Sequence, residues 1–132
     1  MSKFKLFTDG GSRGNPGPAA IGGVLYEEEK VLADFSHYLG QGTNNQAEYS
    51  ALLMGLELAK KHKVTDLQCF LDSELVVKQL NKEYRVKDAD LAKLFVKVWN
   101  LSQEFKSISF RHVRRELNKE ADRLVNLALD SR

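Results

Sequence analysis

The chain has 132 residues, with 20 basic against 18 acidic side chains, 42% apolar residues and one cysteine. A chain of this length can build one core, so we expect a single domain over residues 1–132 that acts as a monomer. The lone Cys69 excludes an intrachain disulfide and a thiolate zinc site, so any metal must be held by oxygen ligands. No apolar leader or run of about 18 apolar residues is present, which predicts a cytoplasmic protein without membrane contact. The net charge of +2 does not by itself indicate a nucleic-acid partner.

The first half of the chain predicts an antiparallel meander followed by a long helix. An aromatic-rich segment over 3–9 stops at two glycines, which predicts a strand with Asp9 at its tip. Two β-prone apolar runs over 19–26 and 31–39 are separated by charged residues and predict an antiparallel pair. From 43 to 61 the apolar residues recur at helical spacing on most sides, which predicts a central, well-covered helix.

The second half alternates between strands and helices. Strands are predicted over 67–71, just before Asp72, and over 106–112. A short helix over 73–80 is expected to turn Leu75 inward, and two longer helices carry apolar stripes that include Leu91 and Leu117. The resulting order, βββαβααβα, predicts an α/β fold with a mixed sheet covered by helices and right-handed crossovers between its parallel strands. In such sheets, ligands bind at the carboxyl ends of the strands.

Four carboxylates stand where they could meet at that edge. Two follow strands, one lies on the inward face of the long helix's first turn and one lies on the last helix: Asp9, Asp72, Glu48 and Asp122. Four anions within a few Å stay ionised only around strong positive charge. Oxygen ligands suit Mg²⁺ or Mn²⁺, and two such ions about 3.5–4 Å apart can promote in-line displacement at phosphorus. The pattern is therefore compatible with metal-assisted phosphate chemistry.

Each carboxylate also has an ordinary structural alternative. Asp9 can serve a turn, and Asp72 can cap the helix that follows it. Glu48 can complete a capping box with Asn45 as the N-cap. Asp122 can form a surface ion pair with Lys119, an interaction that contributes little to stability.

Four motifs occur in a fixed order along nearly the whole chain. They are TDGGSRGNPGP over 8–18, TNNQAE over 43–48, LDS over 71–73 and NKEAD over 118–122. Together they resemble type 1 ribonuclease H. The resemblance implies a ribonuclease H-like fold with a five-stranded mixed sheet, and an endonuclease that hydrolyses the RNA strand of RNA–DNA hybrids. It also implies two-metal-ion cleavage that leaves 5′-phosphate and 3′-hydroxyl ends.

The resemblance assigns residues to this activity. The same four carboxylates would bind two Mg²⁺ ions, with Mn²⁺ as a substitute. Residues of the first two motifs would contact the substrate: Gly11, Ser12, Asn15, Thr43, Asn44, Asn45 and Gln46. For the asparagines, shaping a turn or capping a helix is an alternative role. Glycines also allow close backbone approach to a ligand, and short polar groups can read the 2′-hydroxyl that separates RNA from DNA.

His112 precedes Asp122 by ten residues, where similar enzymes carry a histidine that moves protons near the leaving group. The residues that follow it lack the small, Gly-bearing loop of the best-known bacterial members. Arg114 and Arg115 therefore remain alternatives that would supply positive charge at the scissile phosphate.

The chain resembles a compact form of the family that lacks the basic protrusion gripping the DNA strand. The short connection over 81–87 offers only Tyr84 as an aromatic, and we expect Trp99 to pack rather than to stack on a base. Duplex RNA is kept as a further partner beside the hybrid.

Two other functions are alternatives to hybrid cleavage. A non-catalytic hybrid-binding or duplex-RNA-binding module of the same fold would be expected to lack a metal carboxylate, and all four are present. A proofreading exonuclease of the wider group typically carries two acids one residue apart on the first strand, whereas Asp9 is followed by Gly10 and Gly11.

Overall fold

The computed structural model describes residues 3–132, so the first two residues of the predicted domain lie outside the described range. The elements are β1 (Phe4–Ser12), β2 (Gly17–Glu27), β3 (Lys30–Gly42), α1 (Asn44–Lys61), β4 (Asp66–Leu71), α2 (Glu74–Leu80), α3 (Ala89–Ser102), β5 (Ser107–His112) and α4 (Lys119–Asp130). A single 3₁₀ turn, Arg115–Leu117, precedes α4. The predicted order βββαβααβα is confirmed.

The five strands form one mixed sheet in the order β3-β2-β1-β4-β5. β1 pairs with β2 and β2 with β3 in antiparallel fashion, whereas β1 with β4 and β4 with β5 are parallel. The parallel ladder between β1 and β4 ends at the pair Thr8 and Leu71. The next residue on each strand is an aspartate, Asp9 or Asp72, so the two emerge side by side.

The prediction that β1 ends at Asp9 was wrong. The strand continues through Gly10, Gly11 and Ser12 because these residues stay paired with the longer neighbour β2. Asp9 therefore lies inside a strand, at the point where only its β4 neighbour stops.

Two glycines let the helices approach the sheet on either side of Asp9. A Cβ at Gly10 would lie 2.2 Å from the backbone carbon of Ala47 on α1. A Cβ at Gly22, the β2 partner of Asp9, would lie 2.6 Å from the backbone oxygen of Ala121 on α4. Both helices that carry candidate carboxylates are thus seated close to Asp9.

The main core lies between the sheet and α1, where Leu6, Leu25, Leu52 and Leu56 are fully buried. A smaller cluster packs α4 against the opposite side of the sheet through Ala20 and Val125. None of the helices between residues 3 and 132 has the length and apolarity that crossing a bilayer requires.

Two apolar residues lie elsewhere than predicted. Leu75 is 38% exposed, because Val76, Val77 and Leu80 already fill the inward side of the short α2. Leu117 is 64% exposed and belongs to the 3₁₀ turn, while its neighbour Asn118 takes the buried place at the start of α4.

Candidate active site

Three carboxylates converge at the edge where β1 and β4 part. Asp9, Glu48 and Asp72 each offer an oxygen, and these oxygens lie within 4.8 Å of one another. Asp9 and Glu48 are only 7% and 6% exposed, and Asp72 is half-buried. The structure thus brings together three of the four residues predicted to meet here.

Glu48 faces β1 because it is not engaged in capping α1. The N-cap is Thr43, whose hydroxyl accepts a hydrogen bond from the Gln46 N–H at 3.1 Å, while Gln46 Oε1 accepts one from the Thr43 N–H at 2.9 Å. The alternative that paired Asn45 with Glu48 in a capping box was wrong. The Glu48 carboxylate instead accepts a hydrogen bond from the Gly10 N–H at 2.7 Å, which fixes it beside Asp9.

Asp72 is likewise free of the capping duty considered for it. Ser73 is the N-cap of α2, and its hydroxyl accepts a hydrogen bond from the Val76 N–H at 3.3 Å. The alternative that made Asp72 the N-cap of α2 was wrong by one residue. The Asp72 carboxylate therefore belongs to the carboxylate cluster.

Asp122 reaches the same cleft from α4, outside the tight group of three. The charge of Asp122 raises the pKa of Asp9. Asp122 Oδ1 also forms an ion pair with Arg115 Nη2 at 3.8 Å. The alternative that paired it with Lys119 was wrong, because Asp122 faces the sheet while Lys119 is exposed at the start of the helix.

The cluster carries unfavourable electrostatics when all its acids are ionised. Burial and the nearby Asp72 and Asp122 charges raise the pKa of Asp9 to about 8. Burial and the charge of Asp9 raise the pKa of Glu48 well above its usual range, even though the Gly10 N–H works in the opposite direction. A ligand set that consists of carboxylate oxygens alone fits a hard divalent cation, whose positive charge would remove this repulsion.

The cluster opens into a cleft of about 370 Å³. Four of the seven residues predicted to contact substrate line it: Gly11, Ser12, Asn44 and Asn45. Asn44 Oδ1 accepts hydrogen bonds from the Ser12 N–H and hydroxyl at 2.8 and 3.1 Å. Among residues 3–132 the Asn44 side-chain N–H groups have no hydrogen-bond partner, so they are available to a ligand.

The other three predicted contacts hold the loops that frame this cleft. Asn15 Oδ1 accepts a hydrogen bond from the Asn44 N–H at 3.1 Å and so ties the Gly-rich loop to α1. Thr43 and Gln46 form the capping box described above. At Gly10, helix α1 rather than a ligand occupies the space that a side chain would need.

Of the three residues considered as helpers, the structure places Arg115 in the cleft. His112 ends β5 beside Leu71 and is exposed, as is Arg114. Within residues 3–132, only Arg115 of these three lines the cleft. The 3₁₀ turn before α4 brings it there.

Sequence reasoning missed Arg13 and Asn126, which also line the cleft. Asn126 could have been found, because it follows Asp122 by four residues and so lies on the same face of α4. Arg13 lies inside the first motif, but nothing local indicated that its side chain meets α4.

Comparison with known proteins agrees with this fold. A family model described as "Reverse transcriptase-like" matches residues 7–128. The chain is 43% identical over 131 residues to "Bifunctional protein Rv2228c" of Mycobacterium tuberculosis, covering 98% of this chain and 36% of that one. It is 43% identical over 129 residues to "Ribonuclease HI" of Halobacterium salinarum, covering 97% of this chain and 65% of that one. The chain thus spans about a third of the first relative and just under two thirds of the second.

Two solved structures share the whole fold. The crystal structure of RNase H1 from Halobacterium salinarum matches with a TM-score of 0.95 and 42% identity over 98% of each chain. LC11-RNase H1, isolated from compost by a metagenomic approach and solved in complex with an RNA/DNA hybrid, matches with a TM-score of 0.93 and 41% identity over 98% of each chain. The fold is that of the ribonuclease H-like class. Within that class the chain belongs to the type 1 ribonuclease H family, which confirms the resemblance of its four motifs.

Proposed function

We propose that the protein is an endoribonuclease that hydrolyses the RNA strand of RNA–DNA hybrids with two divalent metal ions. The observation that carries the proposal is the set of three carboxylate oxygens within 4.8 Å of one another. The 41% identical relative solved with an RNA/DNA hybrid supports the choice of substrate. In the proposed reaction a water oxygen bonds to phosphorus in line as the bond to the 3′ oxygen breaks. The products carry 5′-phosphate and 3′-hydroxyl ends.

Asp9, Glu48, Asp72 and Asp122 are the residues that would hold the ions. When bound, Mg²⁺, or Mn²⁺ as its substitute, supplies the charge that activates a water and stabilises the leaving oxygen. The protein's part is to fix the four carboxylates in advance. The parallel ladder aligns Asp9 with Asp72, and the Gly10 N–H holds Glu48.

Arg115 is the cation we assign to the scissile phosphate, in preference to His112. It lies 3.8 Å from Asp122 and is 79% exposed at its side chain, so it can leave that weak pair for a phosphate oxygen. Replacing Arg115 with Ala should lower the cleavage rate, whereas His112→Ala should leave it near the wild-type value. The reverse pattern would return the role to His112.

The cleft-lining polar groups are assigned to recognition of the RNA strand. Gly11, Ser12, Asn44 and Asn45 surround the space beside the carboxylates, where a 2′-hydroxyl can accept and donate hydrogen bonds. Asn15, Thr43 and Gln46 would act through the loops they hold. We further propose duplex RNA as a secondary substrate, a monomeric enzyme and a cytoplasmic location.

The proposal is tested by incubating labelled RNA–DNA hybrid, duplex RNA and duplex DNA with the protein in Mg²⁺ or Mn²⁺. Wild type should cut the hybrid within the RNA strand, and the products should accept ligation at their 5′-phosphate ends. Cutting of a circular RNA annealed to DNA would separate an endonuclease from an exonuclease. Tight hybrid binding without turnover in either ion would instead support the non-catalytic binding module.

A further inference from the structure

The acidic cleft contains a second basic side chain, Arg13, which pairs with Asp130 at the end of α4, whereas Arg115 pairs with Asp122 eight residues earlier. Both arginines line the cleft together with the carboxylates. A nucleic-acid strand that enters this cleft carries a negative charge at every linkage, so it needs cations beyond the point of cleavage. Arg13 is the other basic residue that lines the cleft.

The backbone around Arg13 is held in one place relative to the carboxylates. β1 leads without a break from Asp9 to Ser12, and Arg13 follows. At about 3.3 Å per residue, four residues separate Arg13 from Asp9 by about 13 Å. The Arg13 N–H donates to Pro18 O at 2.8 Å, and a Cβ at Gly17 would lie 2.3 Å from Arg13 O. The loop thus leaves little freedom at this position.

The guanidinium of Arg13 is anchored on α4 by one of its nitrogens. Nη2 forms an ion pair with Asp130 Oδ1 at 2.7 Å and donates a hydrogen bond to Asn126 Oδ1 at 3.3 Å. Guanidinium has five N–H donors, of which Nη2 carries two. Within residues 3–132, Nε and Nη1 donate no hydrogen bond, so the one N–H of Nε and the two of Nη1 remain for a ligand.

We propose that Arg13 binds a phosphodiester of the RNA strand in the cleft, next to the linkage at the carboxylates, with Asp130 and Asn126 as its anchors. The proposal rests on the proposed function in that the cleft must receive a hybrid. Its ordinary alternative is a surface ion pair that ties the Gly-rich loop to α4. Because Asp130 is 65% exposed at its side chain, loss of such a pair would change the free energy of unfolding only slightly. If the pair were the only role of Arg13, its loss would not change hybrid binding.

Arg123 provides a matched control for Arg13. It also lies in an exposed ion pair at α4, with Nη2 at 2.6 Å from Glu120 Oε1, but it does not line the cleft. Arg13→Ala and Arg123→Ala therefore remove the same charge and a similar pair. Only the first removes a donor from the proposed strand path.

The test measures binding of a short fluorescent RNA–DNA hybrid in EDTA across a series of KCl concentrations. Arg13→Ala should raise Kd about three- to tenfold and lower the slope of log K against log salt by about 0.7 to 0.9. Arg13→Lys should keep the slope, and Arg123→Ala should match wild type. Thermal unfolding of each variant verifies that the fold is intact.

The strand is identified with hybrids that carry one neutral methylphosphonate linkage at a time. The rise in Kd caused by Arg13→Ala should vanish when the neutral linkage in the RNA strand faces Arg13. The assignment to the RNA strand is overturned if Arg13→Ala raises Kd equally for every hybrid with a neutral linkage in its RNA strand. It is also overturned if the rise in Kd disappears only when the neutral linkage lies in the DNA strand.

The outcomes separate this proposal from the proposed function. Equal Kd and salt slope for wild type, Arg13→Ala and Arg123→Ala would overturn the role of Arg13 while a parallel assay still shows cleavage. Wild type that binds the hybrid without cutting it would contradict the nuclease and leave the Arg13 comparison decisive. Wild type that neither binds the hybrid in EDTA nor cuts it in Mg²⁺ or Mn²⁺ would overturn both.

Discussion

Replacing Asp9 with Asn should stabilise the metal-free protein. Burial and the charges of Asp72 and Asp122 raise the pKa of Asp9 from its usual 3.8 to about 8. A carboxyl whose pKa is higher in the folded state contributes most below pH 4, and that contribution is lost as the pH rises toward 8. Asn has no charge to lose, so the variant should gain on wild type over this interval.

The size of the gain follows from the same pKa. A tenfold change in proton affinity corresponds to about 1.4 kcal/mol, which sets an upper bound of about 6 kcal/mol at pH 8. Asp9 titrates together with Glu48, so one substitution relieves only part of the repulsion and we expect about 1–3 kcal/mol. For a chain of this length that is a rise in Tm of about 3–10 °C.

The assay is thermal unfolding in EDTA between pH 4 and pH 8.5, with Asp34→Asn as the control. Asp34 is an exposed carboxylate on β3, so its loss should change Tm little. The Asp9→Asn advantage should be absent near pH 4, widen toward pH 8 and shrink in Mg²⁺, because the ion stabilises the native wild type. A variant that is less stable than wild type at pH 8 in EDTA would refute the reasoning.

Two further predictions concern the packing around Asp9. Gly10→Ala should cost at least about 2 kcal/mol in chemical denaturation, because the new Cβ meets α1 backbone at 2.2 Å, whereas Gly11→Ala, whose Cβ has no neighbour closer than 3.9 Å, should cost less than about 1 kcal/mol. Similar losses for both would contradict the close approach of α1. Asn118→Ala should cost about 1–3 kcal/mol in the same assay, since the buried Asn118 Nδ2 donates to Thr8 O at 2.9 Å and joins α4 to β1. An unchanged denaturation midpoint would show that this bond contributes nothing.

The convergence of the acids was predictable because it depends on period and topology. The alternation of strands and helices indicated a partly parallel sheet, and Asp9 and Asp72 were expected side by side if their strands are parallel neighbours, which the structure shows them to be. Helical spacing placed Glu48 on the inward face of α1. The four motifs then identified the family, since each carries its carboxylate in the expected place.

The details that sequence reasoning got wrong depend on shifts of one or two residues or on distant contacts. Thr43 caps α1 two residues before Asn45, and Ser73 caps α2 one residue after Asp72, and all four residue types are good cap formers. The extra length of β1 comes from pairing with β2, which local composition does not reveal. The contact between Arg13 and Asp130 joins opposite ends of the chain, so no local pattern indicated it.

The rate of RNA cleavage in an RNA–DNA hybrid, measured in Mg²⁺ for wild type, Asp9→Asn and Asp34→Asn, tests the central claim most directly. We predict Mg²⁺-dependent cutting by wild type and Asp34→Asn, and a loss of more than about a hundredfold in Asp9→Asn, because a ligand of the reacting centre is removed. Folding of the Asp9→Asn variant is verified by the unfolding assay above. Equal rates for wild type and Asp9→Asn, or cleavage that persists in EDTA, would contradict the account.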